Sequence, residues 1–324
     1  MGRWQAMGRW IGDHLAFIAP VCVAVGVLFP HVFGPVNTHA VPFLFAAMTF
    51  QGSLANTFGQ VASVFRKPAP MLATLLSTHV LMPLAAFLLG GLLFGGDPDL
   101  VCGIVLEYSV PVAVITFMWV GMYGGDSPLA LATILVSTVI APFSIPATLQ
   151  LLLGAVVHVD APGMMMSMVG MVGAPAVAGM LVNQFSRGWG ATRLSPALAP
   201  LIKLFVIVII TSNSTGMSAY VLHPTWRLAQ AAIFVLALSS LGYLVGLVMA
   251  RLMRRSPAEL VTMSFACGLR NISAGAVIAG EYFPGSAAIF PIMVSTLLQQ
   301  VLAAAFGGVL GRLPGDGTGR LEGR

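Results

Sequence analysis

The chain has 324 residues, of which 58% are hydrophobic and only 8% are charged, whereas an ordinary soluble domain carries about 25% charged residues. This composition excludes an ordinary soluble domain and indicates several membrane-spanning helices. The formal net charge of +5 would suggest nucleic-acid binding in a soluble protein, but here most Lys and Arg residues lie between apolar segments. We therefore expect a lipid bilayer as the partner, and no nucleic acid.

Ten apolar stretches are long enough to cross a hydrocarbon core of about 30 Å. They predict an all-α integral membrane protein with ten transmembrane helices. Pro30, His31 and Pro35 indicate a loop between the first two. The approximate spans are 15–33, 40–58, 70–94, 99–123, 128–153, 164–184, 198–222, 227–250, 258–280 and 286–311. Residues 211–215 are unusually polar for such a segment, so one face should look onto a cavity or, more simply, bond another helix.

The connections between these segments alternate in charge, which predicts the orientation of the chain. By the positive-inside rule, both termini and a tail at 312–324 lie in the cytoplasm, at the plasma (inner) membrane. One set of connections holds Arg3, Arg9, Arg66, Lys67, Arg187, Arg193, Arg251, Arg254, Arg255, Arg312, Arg320 and Arg324, and the other holds Asp97, Asp99, Asp160, Glu281 and Arg227.

The fourth and ninth segments are similar, which predicts an internal repeat. Each is followed by the tripeptide Val-Ser-Thr, at 136–138 and at 294–296. Residues 1–162 and 163–311 would then form two five-helix halves, and the odd number of crossings turns the second upside down. Inverted repeats are typical of secondary transporters, which bind substrate near the midplane at interrupted helices. The alternative is a chance match between two apolar stretches.

Both similar segments carry features that disturb a membrane helix. Pro111 has no backbone N–H and clashes with the carbonyl of Glu107, so carbonyls near it become free to bind a polar group. In the ninth segment Arg270 and Asn271 lie among small residues, with Ser273 close by. A permanently charged guanidinium at bilayer depth is costly, so Arg270 indicates a water-filled cavity, a buried partner or a ligand site.

Glu107 is the natural counter-ion of Arg270, because it is the one carboxylate that we predict deep within a helix. A structural salt bridge between the two is the favoured interpretation, and direct anion binding by Arg270 is the alternative. His79 could relay protons with Glu107, although a bond from the imidazole to a backbone carbonyl is the simpler interpretation.

Motifs of enzymes and metal sites are missing from the sequence. It contains neither H-E-x-x-H nor G-x-S-x-G, and Asp126 lacks a second membrane aspartate that would complete a proteolytic dyad. Cys22, Cys102 and Cys267 show no metal-ligand spacing and are expected to pack inertly. We therefore expect neither an enzyme nor a bound metal or cofactor.

Four segments, in this order, resemble the bile acid:sodium symporter family, part of a superfamily with arsenite exporters and auxin-efflux-type carriers. The resemblance covers about residues 15–311 and is carried by 42–54 (PFLFAAMTFQGSL), 66–90, 124–146 with Pro111, and 267–288. It implies ten helices as two inverted repeats, with broken, crossing helices 4 and 9. Helices 3–5 and 8–10 would form a core domain, and helices 1, 2, 6 and 7 a panel. It also implies alternating access, with substrate held between panel and core.

The departures from the family concern its sodium ligands. At one sodium site the resemblance assigns Thr116, Phe117, Ala130, Ile134 and Ala266, of which only Thr116 has a side-chain oxygen, and at the other Ala266, Arg270 and Thr78. Sodium needs oxygen ligands, and a guanidinium offers only donors. We expect both sodium sites to be lost, with the charge of Arg270 taking the place of a sodium ion.

The resemblance thus implies a secondary active transporter or facilitator for a small organic anion, without sodium coupling, which we expect to be monomeric. Three alternatives stay open: a sodium- or proton-coupled symporter, an arsenite-type exporter, and a membrane sensor of the same fold. Against the exporter, residues 107–117 lack the cysteine that such proteins use beside the break.

Overall fold

The computed structural model describes residues 3–57, 59, 68–157, 159–223 and 225–311. Over these residues the chain is helical, and its β-type pairing consists of an isolated bridge. In chain order the helices are α1 (Arg3–Asp13), α2 (Leu15–Leu28), α3 (Pro30–His39), α4 (Val41–Ser53), α5 (Pro68–Phe94), α6 (Pro98–Ser109), α7 (Thr116–Met122), α8 (Ser127–Leu153), α9 (Ala161–Phe185), α10 (Gly190–Met217), α11 (Ser218–Leu222), α12 (Trp226–Leu252), α13 (Pro257–Gly268), α14 (Ile272–Tyr282) and α15 (Ile289–Leu310).

Within the described part of the chain, six helices are long and apolar enough to cross a membrane: α5, α8, α9, α10, α12 and α15. The shortest of them has 22 residues and therefore extends about 33 Å, which exceeds the thickness of a hydrocarbon core. Their outer faces carry large apolar side chains, such as Leu92 and Leu151, which are 82% and 83% exposed. The predicted all-helical, multi-pass membrane fold is confirmed at this level.

The remaining predicted spans correspond to shorter helices, so the ten-helix arrangement stays a prediction. The span 40–58 corresponds to α4, while 99–123 and 258–280 each contain two helices separated by a break. The predicted tail at 312–324 and the basic connection at Arg66 and Lys67 lie outside the described residues.

The N-terminal region differs from the prediction in two ways. The loop expected at Pro30 and His31 is wrong, because α3 begins at Pro30, and proline is well tolerated in the first turn of a helix. The sequence analysis also missed α1. Trp4 Nε1 donates to the carbonyl of Ala197 at 3.1 Å, and Lys203 Nζ donates to that of Gly8 at 2.6 Å, so α1 packs along α10.

Two short helices lie at the centre of the molecule. All side chains of α6 from Leu100 to Ser109 are buried, and so are those of α13 from Leu260 to Cys267. Glycines let a neighbour approach α13 closely, since a Cβ atom at Gly246 of α12 would collide with the carbonyl oxygen of Met263. Small residues at such contacts are typical of helix packing in membranes. Both central helices end next to the candidate site.

Candidate functional site

The candidate site lies where two interrupted helices meet. Helix α6 ends at Ser109 and the chain resumes as α7 at Thr116, while α13 ends at Gly268 and the chain resumes as α14 at Ile272. Val110 and Leu269, the first residues after α6 and α13, both have extended backbones. Breaks in the fourth and ninth apolar segments were predicted, and these helix bounds confirm them.

The two breaks satisfy each other's backbone groups. Asn271 N donates to the carbonyl of Pro111 at 2.8 Å, and Ala113 N donates to that of Leu269 at 3.1 Å. These bonds form an antiparallel bridge between Val112 and Arg270. Because unpaired backbone groups are expensive away from water, this mutual pairing explains how both helices are interrupted inside an apolar protein.

Two side chains from long helices complete the pairing, and the sequence analysis had assigned neither to the site. Val112 N donates to Ser137 Oγ of α8 at 2.9 Å, and Arg270 N donates to Gln299 Oε1 of α15 at 3.0 Å. The signal that could have found Ser137 is its position in the repeated Val-Ser-Thr tripeptide. For Gln299 the signal is a polar residue within an apolar helix.

The guanidinium of Arg270 joins the breaks to α5. Arg270 is only 2% exposed, and its Nη1 donates to the carbonyl of Thr78 at 3.1 Å and, more weakly, to that of Val110 at 3.5 Å. The Thr78 carbonyl can accept this bond because α5 contains a π-helical turn at Ser77–Leu81, in which Met82 N donates to Ser77 O. In a π-helical turn each carbonyl accepts from the N–H five residues later. For Thr78 that residue is Pro83, which has no N–H, so the carbonyl is free to accept from Arg270.

Glu107 is also buried, at 1% exposure, but the predicted direct salt bridge with Arg270 is wrong. Among the described residues, only Arg255 and Glu259 bring a basic side-chain nitrogen and a carboxylate oxygen within 4.0 Å of each other, at 3.9 Å. Glu107 and Arg270 do not approach this closely. Glu107 and Arg270 instead line the same small cavity. Proximity in the fold was therefore predicted correctly, whereas contact between the two charged groups was not.

This cavity, which we call the inner cavity, is polar and very small. About 10 Å³ is open to the centre of a water molecule, which corresponds to roughly one water. Several atoms of its lining residues have no hydrogen-bond partner: Glu107 Oε2, Arg270 Nε, Arg270 Nη2, Tyr243 Oη and Ser295 Oγ. The lining consists of Glu107, Ser239, Tyr243, Gly268, Arg270, Ser295, Gln299 and Leu302.

His79 does not have the surroundings that were predicted for it. Its Nε2 lies 2.9 Å from Ser137 Oγ and its Nδ1 lies 3.0 Å from Ser144 Oγ. Both ring nitrogens thus bond serine hydroxyls of α8, and neither bonds a backbone carbonyl or Glu107. Because Ser137 also accepts from Val112 N, the imidazole helps to hold the hydroxyl that caps the first break.

The positions assigned to lost sodium ligands are largely apolar and buried. Val112, Ile134 and Ala266 form one buried apolar cluster, and Ala130 belongs to another. Thr116 is fully buried, and its Oγ1 has no hydrogen-bond partner. Phe117 is 44% exposed. Over the described residues, no three His, Cys, Asp or Glu side chains form a group that could hold a metal ion.

Asn271 and Ser273, which flank Arg270, begin helix α14. The side chain of Asn271 accepts from Ala274 N at 3.3 Å, as an N-cap residue does. Ser273 is half-buried in the first turn. Asn271 therefore has a structural role, which is to start the second half of the interrupted helix.

A second, larger cavity, which we call the outer cavity, lies between α3, the end of α10 and the end of α14. About 220 Å³ of it is open to the centre of a water molecule, and its lining includes Gly34, Asn213 and Phe283. Asn213 is only 1% exposed, and its Oδ1 has no hydrogen-bond partner. The polar run at 211–215 was the sequence signal for this cavity, although bonding to another helix was the favoured interpretation.

Comparisons with known proteins agree with this architecture. The sequence profile of the Sodium Bile acid symporter family matches residues 41–223. The chain is 38% identical over 298 residues to "Uncharacterized protein YbaS" of Bacillus subtilis (strain 168), covering 92% of this chain and 97% of the relative. It is 24% identical to "Probable sodium/metabolite cotransporter BASS1, chloroplastic" of Arabidopsis thaliana, covering 94% and 77%. It is also 24% identical to "Uncharacterized sodium-dependent transporter YocS" of Bacillus subtilis (strain 168), covering 88% and 84%.

Proposed function

Because this chain belongs to the sodium bile acid symporter family and is therefore a membrane transporter and not an enzyme, we propose that it moves a small organic anion without sodium coupling. It does so as a secondary active transporter or facilitator, by alternating access between a core and a panel. Residues 1–162 and 163–311 are its two inverted repeats. Its termini lie in the cytoplasm, at the plasma (inner) membrane, and it acts as a monomer.

The observation that carries the sodium-independence proposal is the bonding of Arg270. The guanidinium donates to the carbonyl of Thr78, at a position that the family resemblance assigns to a sodium ligand. Around it, Val112, Ile134 and Ala266 pack as an apolar cluster. A fixed positive charge thus joins the two breaks to α5, in a region where relatives would need an ion with oxygen ligands. Two relatives carry sodium in their names, and sodium-ligand positions are where this chain departs from the family pattern.

Three observations support a small organic anion as the substrate. One relative is named a sodium/metabolite cotransporter, and the outer cavity is large enough for a small metabolite. Arg270 provides a positive charge inside the protein, although it is enclosed. Its charge favours an anion near the breaks when the nearby Glu107 does not balance it, and a direct contact needs a conformation in which the panel moves away.

Reconstitution into liposomes tests the proposal. A thermal-shift screen of carboxylates, sulfonates and sulfates on the purified protein first selects the anion. Uptake of that anion is then measured in sodium chloride and in choline chloride. We expect equal rates in the two salts, because oxygen ligands for sodium are missing from the assigned positions. A strict sodium requirement would contradict the proposal.

Counterflow separates a carrier from other membrane proteins of the same fold. A carrier loaded with unlabelled anion accelerates the entry of labelled anion, whereas a channel or a sensor does not. Counterflow that is present, saturable and equal in the two salts supports the whole proposal. Loss of counterflow would refute alternating access, whatever the salt dependence.

A further inference from the structure

We infer that Glu107 and Arg270 form a proton-binding site at the inner cavity, and that the charge of this site controls whether the protein holds an anion. The inference rests on the proposed function, because it supplies a driving ion for the secondary active form of a transporter without sodium coupling. The proton binds to the Glu107 carboxylate and is taken from, and returned to, water.

The geometry of the inner cavity is that of an incomplete polar site. Glu107 and Arg270 are 1% and 2% exposed, yet Glu107 Oε2 and the Arg270 atoms Nε and Nη2 lack hydrogen-bond partners. In a purely structural salt bridge, these atoms would bond each other. Here they line a cavity with room for about one water molecule. A water molecule can accept from the guanidinium and donate to the carboxylate, and such an occupant can leave.

Other titratable groups lie on several of the elements packed around the cavity. On its own helix, Tyr108 donates to the carbonyl of Val235 at 3.0 Å, and across the cavity lies Tyr243 of α12. Cys267 lies in the last turn of α13, and His79 on α5 bonds two serine hydroxyls. Phenols and thiols are neutral at ordinary pH, and Arg270 stays protonated. From α15, Ser295 and Gln299 contribute only neutral groups.

The coupling follows from the net charge of the site. With Glu107 ionised, its negative charge balances that of Arg270, and the site is neutral. With Glu107 protonated, the charge of Arg270 is unbalanced inside an apolar protein, where it is poorly screened. An anion next to the breaks then restores neutrality. Proton and anion therefore favour each other's binding, and the loaded carrier crosses the membrane without net movement of charge.

Infrared spectroscopy of the full chain in lipid tests proton binding without any substrate. The protein is titrated between about pH 5 and about pH 10, a range that lies above the ordinary titration of a glutamate. We expect a C=O band of a protonated carboxyl group that grows as the pH falls. Glu107→Gln should lack this band, and the matched control Glu281→Gln, at an exposed residue, should retain it. A difference spectrum between wild type and Glu107→Gln that stays constant over this range would overturn the inference.

Two further variants make the assignment firm. If Glu107→Gln does not fold, Glu107→Asp retains a carboxyl group and should move the frequency of the same band. Arg270→Gln should shift the titration to higher pH, because the positive neighbour of the carboxylate is lost. An unchanged titration in Arg270→Gln would overturn the link between the two charges.

Anion binding tests the coupling itself. The anion selected by the thermal-shift panel should bind wild type up to tenfold more tightly for each unit that the pH falls through the titration, and it should bind Glu107→Gln with no such dependence. Equal pH dependence in both proteins would overturn the coupling. If no anion of the panel binds at any pH, the proposed function fails, while the infrared titration still decides the proton site.

Discussion

The strongest test of the site is a double-mutant cycle on Glu107 and Arg270. The perturbations are Glu107→Gln, Arg270→Gln and the double variant, each studied at about pH 9, where we expect Glu107 to be ionised. Two unit charges about 6 Å apart, roughly one water molecule beyond contact, attract by about 3 kcal/mol at an effective dielectric constant near 20. Glu107→Gln should destabilise the protein by about this amount.

Arg270→Gln should cost more, because it also removes the bond from Nη1 to the carbonyl of Thr78. A hydrogen bond from a charged group contributes about 2 kcal/mol, so the expected loss is roughly 5 kcal/mol. The double variant leaves no buried charge uncompensated, and its loss should be about 3 kcal/mol smaller than the sum of the two single losses.

The assay is thermal unfolding of the purified variants in one detergent, read by intrinsic fluorescence. A shift of roughly 2 °C for each kcal/mol places the Arg270→Gln variant about 10 °C below wild type. If the stability loss of the double variant equals the sum of the two single losses within about 0.5 kcal/mol, the interaction between the two charges is refuted. The cycle should also depend on pH, because a proton bound to Glu107 removes the attraction. The interaction energy should therefore fall towards zero as the pH is lowered. A pH-independent interaction would show that neither charge titrates.

Two further predictions concern the cap of the first break and the outer cavity. Ser137→Ala leaves the buried amide of Val112 without its acceptor and should lower the free energy of unfolding by about 1–3 kcal/mol. The control Thr138→Val removes a hydroxyl that bonds only its own helix and should lower it much less. Equal losses of stability in the two variants would refute the capping role of Ser137. Gly34→Phe should abolish counterflow, because nothing lies within 4 Å of its Cβ position and the ring would fill the outer cavity. Gly91→Phe meets equally open space away from both cavities and should transport normally, so a loss common to both variants would exclude cavity blocking as the cause.

The positions of the long helices were predictable, because the ends of the apolar runs coincide with residues that cap or begin helices. The spans 128–153 and 227–250 correspond to α8 (Ser127–Leu153) and α12 (Trp226–Leu252). Asp126 caps α8 with a side-chain bond to Leu129 N at 2.9 Å, which is the type of signal that a sequence displays. The break at Pro111 was predictable for a similar reason, since a proline acts on its own helix.

The features that the sequence did not predict depend on contacts between residues far apart in the chain. Helix α1 has no long apolar run, and its contacts with Ala197 and Lys203 exist only in the folded chain. The bond from Arg270 to Thr78 needs a π-helical turn in α5, which local apolar periodicity does not reveal. The Glu107 salt bridge was chosen by elimination among carboxylates, and elimination cannot distinguish direct contact from a shared cavity without contact.

The two breaks differ in the groups that bond their backbones. When the two Val-Ser-Thr tripeptides are aligned, Arg270 matches Val112, its partner in the bridge, and Ser295 matches Ser137. In the first break Ser137 accepts from the amide of Val112, whereas in the second the amide of Arg270 is bonded by Gln299, one helical turn beyond Ser295. The side chain of Ser295 lines the inner cavity together with Glu107 and Arg270. Where the first break has a valine, the second has an arginine that lines the inner cavity, and this residue supplies the charge on which the proposed proton-coupled anion binding depends.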